Sequence, residues 1–210
     1  AVRPAPRMAT PGKPGEARTV RLVLKIAAEV GLLGLPNAGK STFLAAVTRA
    51  RPKIADYEFT TLAPQVGIAE LDDHQTLCIA DLPGLIEGAS EGVGLGHRFL
   101  KHVERCGVLL HLVDVSDGAA VEPAEAHRVI TTELERAAPE LADKPRLVVA
   151  TKVEDERSEE RARGLSAAID RPVLCMSSAT GRGVREVLRS AFALSRGPRS
   201  LRSPGNPGSL

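Results

Sequence analysis

A chain of 210 residues is long enough for one full hydrophobic core and short of two ordinary domains. Hydrophobic residues make up 43% of it, yet four Phe, one Tyr and no Trp leave the core to Leu, Val, Ile and Ala and argue against single-strand nucleic-acid binding by aromatic stacking. The formal charge of +2 is unevenly spread: residues 1–25 hold six Lys/Arg against Glu16 alone, residues 196–210 hold three Arg and no acid, and the body between them is acidic. Basic ends suit contact with a polyanion such as RNA, and suit equally well two solvated arms. Cys78, Cys106 and Cys175 form no CxxC pair, and an odd count fits a reducing compartment. His97 and His102 lie five apart with no acid or thiol at ligand spacing, which argues against a metal site there. No apolar run reaches the roughly 18 residues of a spanning helix, and the Pro-rich N-terminus lacks a signal-peptide core. The expectation is a cytoplasmic, soluble monomer with no membrane partner.

Residues 1–20 carry four prolines and no apolar period, as in an arm. From Arg21 to Gly34 the apolar residues thicken as in buried strands, and Gly34 breaks the run. Ser41 to Ala50 has helical composition, stopped by Arg51-Pro52. Residues 64–71 and 75–81 are short apolar runs around Asp72-Asp73, a hairpin pattern. Five glycines between 84 and 96 predict a mobile loop, followed by a helix with Phe99, Leu100 and Val103 on one face. Val108 to Val115, Leu147 to Ala150 and Val173 to Met176 read as further buried strands, and 121–137, 155–169 and 183–195 as helices. Strands alternating with helices predict an α/β fold, a mostly parallel sheet of about six strands flanked by about five helices. Residues 196–210 are low-complexity and are expected to be a disordered basic tail.

Gly34-Leu35-Pro36-Asn37-Ala38-Gly39-Lys40-Ser41, followed by Thr42, fits GxxxxGK[ST] between a strand and a helix, the context this pattern needs. Glycines let consecutive N–H groups curl around a phosphate, the positive end of the helix faces it, Lys40 adds a point charge, and Ser41 offers a hydroxyl to Mg²⁺. Asp81-Leu82-Pro83-Gly84 fits DxxG, in which the Asp reaches a metal-bound water and the Gly turns an N–H toward a γ-phosphate. Between the two, Phe59-Thr60-Thr61 lies in a non-periodic loop, where a Thr hydroxyl can ligate Mg²⁺ only when triphosphate is present. Such a loop is a switch.

The runs GLPNAGKSTFLAAVTRARPKIADYEFTTLAP, DLPGLIEGASEGVGLGHRFLKHVER and LLHLVDVS closely resemble the GTPase domain of the Obg family, ribosome-associated GTPases of the Ras-like P-loop class. The resemblance implies a Ras-like G domain over residues 25–195, with GTP or GDP bound by Gly34 to Thr42, by switch residues Phe59, Thr60, Thr61, Leu62 and Ala63, and by Asp81 to Gly84. It makes Ser41 and Thr61 the Mg²⁺ ligands and leaves catalysis to Lys40 and Thr61. Asn37 matches an Asn that some related GTPases use to hold a monovalent cation such as K⁺, and is also an ordinary polar loop residue. Leu85 stands where many small GTPases keep a water-positioning Gln, so intrinsic turnover should be slow unless K⁺ or a partner supplies the missing group. Residues 1–24 look like the end of the glycine-rich N-terminal Obg domain. In the family that domain reaches into the large ribosomal subunit, so its near absence weakens the expectation of binding that subunit or its rRNA and of a role in its assembly.

The family reads guanine with Asn-Lys-x-Asp after the fifth strand, and here that register falls on Thr151-Lys152-Val153-Glu154. Lys152 is kept, Asn has become Thr, and Asp has become Glu. The second base-contact loop reads Ser177-Ser178-Ala179 where the family has Ser-Ala, and Glu58 replaces a Pro ahead of the switch phenylalanine. A carboxylate moved by one methylene costs on the order of 1 to 3 kcal/mol in base pairing, so guanine selection should weaken. Two other outcomes stand beside a GTPase switch. One is relaxed or adenine specificity, since a related Obg-like family with Glu at this element prefers ATP; the other is a nucleotide-binding scaffold with little turnover.

Overall fold

The computed structural model describes residues 12, 15, 18–19, 28–49, 53–54, 65–71, 75–82, 106–137 and 144–197. Among them, seven strands and four helices follow one another as β1 (Val30–Leu33), α1 (Lys40–Val47), β2 (Lys53–Ile54), β3 (Gln65–Glu70), β4 (Thr76–Asp81), β5 (Val108–Asp114), α2 (Pro123–Ala137), β6 (Arg146–Thr151), α3 (Glu156–Ile169), β7 (Val173–Cys175) and α4 (Val184–Ser195). The strands form one sheet in the order β2-β3-β4-β1-β5-β6-β7. From β4 to β7 every pairing is parallel; β3 runs antiparallel to both of its neighbours. The expected hairpin is therefore present, pairing Gln65 with Asp81 through Glu70 with Thr76.

The pleat sorts the apolar residues onto two faces. Val30, Leu32, Val108, Leu110 and Leu112 face Phe43 and Leu44 of α1 and Val187, Leu188 and Ala191 of α4. Leu33, Leu109, Val113, Val148 and Ala150 face the other way, against Ala126, Ile130 and Leu134 of α2 and Ala162 and Leu165 of α3. Central strand β5 is buried on both sides and reads as an unbroken apolar run save for His111. No helix of the described residues is long and apolar enough to cross a membrane.

Of the boundaries that differ from those expected, two have a visible structural cause. Helix α1 stops at Val47, before Arg51-Pro52, because Thr48 turns extended and bridges to Ala69 of β3 while its hydroxyl donates to the Leu44 carbonyl at 2.8 Å. Gly67 allows this approach, since a Cβ there would collide with the Thr48 methyl. Arg196, assigned to the tail by composition, is the C-cap of α4; its guanidinium stacks on Phe192 and pairs with Glu29 at 3.6 Å. Residues 198–210 of the tail, nearly all of the N-terminal arm, the glycine-rich loop, His97 and His102, and the helix expected around Phe99 lie outside the described residues.

Candidate functional site

Strand β1 is the switch point of the sheet: the chain proceeds from it to β2, β3 and β4 on one side and to β5, β6 and β7 on the other. A crevice at the C-terminal strand ends is the place where such sheets hold ligands. The candidate residues that the structure describes gather there, at the ends of β1, β4, β6 and β7.

After Leu33 the backbone departs from the strand through Gly34 at φ 151°, Asn37 at φ 63° and Gly39 at φ 91°. Gly34 is required by space as well, because a Cβ would lie 2.5 Å from the Leu112 carbonyl oxygen. Asn tolerates the left-handed region better than most residues, so Asn37 has a backbone reason to be there. Gly39 is the N-cap of α1; among the described residues no side chain caps the first turn, and the turn contains no acid of its own, so its amides stay available to an incoming anion. Lys40 Nζ donates to the carbonyls of Gly34 at 2.9 Å and Leu35 at 3.0 Å, tying the head of the helix to the start of the loop. Pro36 is exposed, whereas Ala38 is buried in the core and offers the site only its backbone.

Ser41 Oγ donates to Asp81 Oδ2 at 2.6 Å, joining the start of α1 to the end of β4 across 40 positions. Asp81 is 6% exposed, and its Oδ1 is buried with no hydrogen-bond partner among the described residues. An uncompensated carboxylate oxygen in such a place is costly unless a cation or a bound water meets it. The hard oxygens of Ser41 and Asp81 fit Mg²⁺ on that ground. Leu82 is buried at the strand end; Pro83, Gly84 and Leu85, with Phe59, Thr60, Thr61, Leu62 and Ala63, lie outside the described residues.

Thr151 closes β6 and is 3% exposed. Its hydroxyl lies 2.9 Å from the Ala38 carbonyl and 3.2 Å from that of Val113. Lys152 follows at φ 58°, and its ammonium donates to Asp114 Oδ2. Val153 is fully buried among Val113, Val115, Ala162 and Leu165, so it serves as an anchor and brings no side chain to the site. Glu154 is exposed, and its Oε1 accepts from Ser177 Oγ at 2.9 Å. Ser177 is itself fully buried and its Oγ also accepts from the Thr180 amide at 3.2 Å, which fixes the turn through Ser178 and Ala179. Residues from two loops thus hold the carboxylate at one place.

Asp114, at the end of β5, was given no role from sequence. It orients Lys152 and accepts from the Ser116 amide at 2.9 Å and hydroxyl at 2.7 Å. Burial pushes its carboxyl up, but the bonds from Lys152 and Ser116 outweigh this and hold it below the usual carboxylate range. The available signal was an acid ending a buried parallel strand next to the switch point.

Residues 29–152 match the family model described as 50S ribosome-binding GTPase. The chain is 50% identical over 202 residues to a protein named GTPase Obg from Sorangium cellulosum (strain So ce56), covering 91% of this chain and 58% of the relative. It is 44% identical over 194 residues to the GTPase Obg of Syntrophomonas wolfei subsp. wolfei, covering 92% and 46% respectively. The chain spans about half the length of the curated relatives it matches. Among solved structures, the G domain of the T. maritima FeoB iron transporter aligns with a TM-score of 0.60 at 20% identity, over 80% of this chain and 99% of that one. A GDP-bound S. thermophilus NFeoB variant aligns with a TM-score of 0.60 at 20% identity, over 80% of this chain and 62% of that one. At that identity the likeness is one of fold.

Proposed function

This chain belongs to the 50S ribosome-binding GTPase family as an Obg-type G domain, and we propose from that premise that it is a Mg²⁺-dependent switch that binds GTP and GDP and hydrolyses GTP slowly. The observation that carries the reading is the Ser41–Asp81 contact beside Lys40, with Asp81 Oδ1 buried and unpartnered among the described residues. The amides from Gly39 onward cradle the β-phosphate, and Lys40 exchanges its loop carbonyls for β- and γ-phosphate oxygens. Ser41 and Asp81 would hold the magnesium, and Thr61 would join them in the triphosphate state. When bound, the metal neutralises charge building on the phosphate oxygens. Gly84 and residues 59–63 sense the γ-phosphate. No side chain is assigned as general base, and with Leu85 in place of an amide the attacking water would need K⁺, which Asn37 would help hold, or a partner to orient it.

At the base, Lys152 packs its stem over the purine, Glu154 accepts from the N1 and N2 donors of guanine, and the Ala179 amide meets the base oxygen. A second reading, relaxed base selection, is favoured by the hydroxyl at Thr151, which replaces an amide. The partner we propose is the large ribosomal subunit during its assembly in the cytoplasm, contacted in part by the basic arms; binding to ribosomal particles that weakens steeply with salt would support this, and salt-independent or absent binding would oppose it.

The deciding experiment measures affinity for GTP, ATP and XTP side by side, with turnover in K⁺ and in Na⁺ and with Mg²⁺ or EDTA. Tighter binding of GTP, lost together with turnover in EDTA and in Lys40→Ala, is expected. Equal affinity for ATP would replace the guanine assignment with the second reading. Absence of turnover in every salt would leave only a nucleotide-binding scaffold.

A further inference from the structure

The end of β6 shows a division of labour that rests on the nucleotide reading above and deepens it. Thr151 is 3% exposed, and its single hydroxyl hydrogen faces two acceptors, the Ala38 carbonyl at 2.9 Å and the Val113 carbonyl at 3.2 Å. Its side chain also lies under Gly39: a Cβ built on that glycine would stand 3.9 Å from both the Cβ and the Oγ1 of Thr151. The residue therefore braces the phosphate loop from beneath, between β5 and β6.

A guanine presents N1 and N2 donors on one edge and the acceptors N7 and O6 on the other. Glu154, an acceptor held by Ser177, suits the first edge. The second edge needs donors. Thr151, on the same strand end, has one hydrogen, which is committed to backbone carbonyls; toward N7 it can present only lone pairs. An amide at this position would carry two hydrogens, one for Ala38 and one to spare. We propose that Thr151 is a positioning residue for the phosphate loop that leaves purine N7 unread.

The test uses GTP and 7-deaza-GTP, in which a C–H replaces the N7 acceptor, with the full chain and its Thr151→Asn, Thr151→Ser and Thr151→Val variants. The unaltered chain should bind the two nucleotides within about twofold of each other, and Thr151→Asn should come to prefer GTP by about fivefold or more. Thr151→Ser, which keeps the hydroxyl, should behave as the parent. Thr151→Val should weaken both nucleotides alike, by about five- to tenfold. Without nucleotide, it should also speed amide hydrogen exchange in residues 38–44 while α3 exchanges as before.

A loss of about fivefold or more on 7-deaza-GTP by the unaltered chain would overturn the proposal, as would unchanged loop exchange in Thr151→Val. If Thr151→Val does not fold, Thr151→Asn still decides whether N7 is read. A folded chain that binds neither nucleotide would sink the GTPase reading, and loop exchange would then decide the bracing role of Thr151 by itself.

Discussion

Glu154 is exposed, yet one of its oxygens is held by a serine with no exposure at all, so its position is set from inside the protein. Exchanging the acceptor for an amide tests what it reads: Glu154→Gln should lower GTP affinity about tenfold and favour XTP, whose C2 oxygen accepts where guanine donates, as read by competition binding. His111 is the opposite case, fully buried in the middle of β5 with neither ring nitrogen partnered among the described residues, and stacked on His127 at 4.8 Å. Burial, with His127 and Arg146 adding to it, lowers its pKa to about 3. The folded state therefore keeps His111 neutral while the unfolded chain takes up a proton near 6.5. Stability is unaffected above that pH and falls as pH drops from about 6.5 toward 3, by up to about 1.4 kcal/mol per unit. Urea unfolding at pH 7 and pH 5 should show His111→Phe losing about 2 kcal/mol less than the parent over this interval. The sequence displays His111 only as a polar letter in an apolar run, and its isolation follows from the packing of α2 over β5.

At the scale of elements, the loop from β6 into α3 is where base reading and helix capping meet. Asp155 caps α3 by accepting from the Ser158 amide at 2.8 Å, and Ser158 Oγ accepts from the amides of both Glu154 and Asp155 at 3.0 Å. Ser158 is 3% exposed, so Ser158→Ala would remove a buried acceptor that two loop amides share. It should cost about 1 to 3 kcal/mol in urea unfolding and loosen Glu154 enough to reduce guanine preference. The helix from 155 was expected from sequence; the Asp155–Ser158 cap and its tie to the Glu154 amide came from the structure. The early end of α1 has a similar explanation. Local composition carries the helix toward Ala50, and the bridge from Thr48 to Ala69 overrides it, because a backbone pair across the sheet outweighs weak helical propensity over three residues.

Over the whole molecule, the site is assembled from loops far apart in the chain, so ligand binding should stabilise the fold as a unit. GTP with Mg²⁺ at about 100 times its dissociation constant should add about 2.7 kcal/mol, which raises Tm by about 5 to 10 °C for a domain of this size; Lys40→Ala should show none of it. The order of strands and helices, the phosphate loop and the Ser41 and Asp81 pair were legible because each rests on short-range constraints: period-two burial, glycines where the backbone turns left-handed, and a fixed spacing between strand and helix. The sequence likewise exposed the altered residues at 151 and 154. Only the tertiary structure decided what these do. It sets the single hydrogen of Thr151 against Ala38, 113 positions earlier, and holds Glu154 with Ser177, 23 positions later. The cause is geometric: parallel strands bring their C-terminal ends together however far apart they lie in the chain, and a hydroxyl with one hydrogen can serve only the acceptor that this packing places nearest.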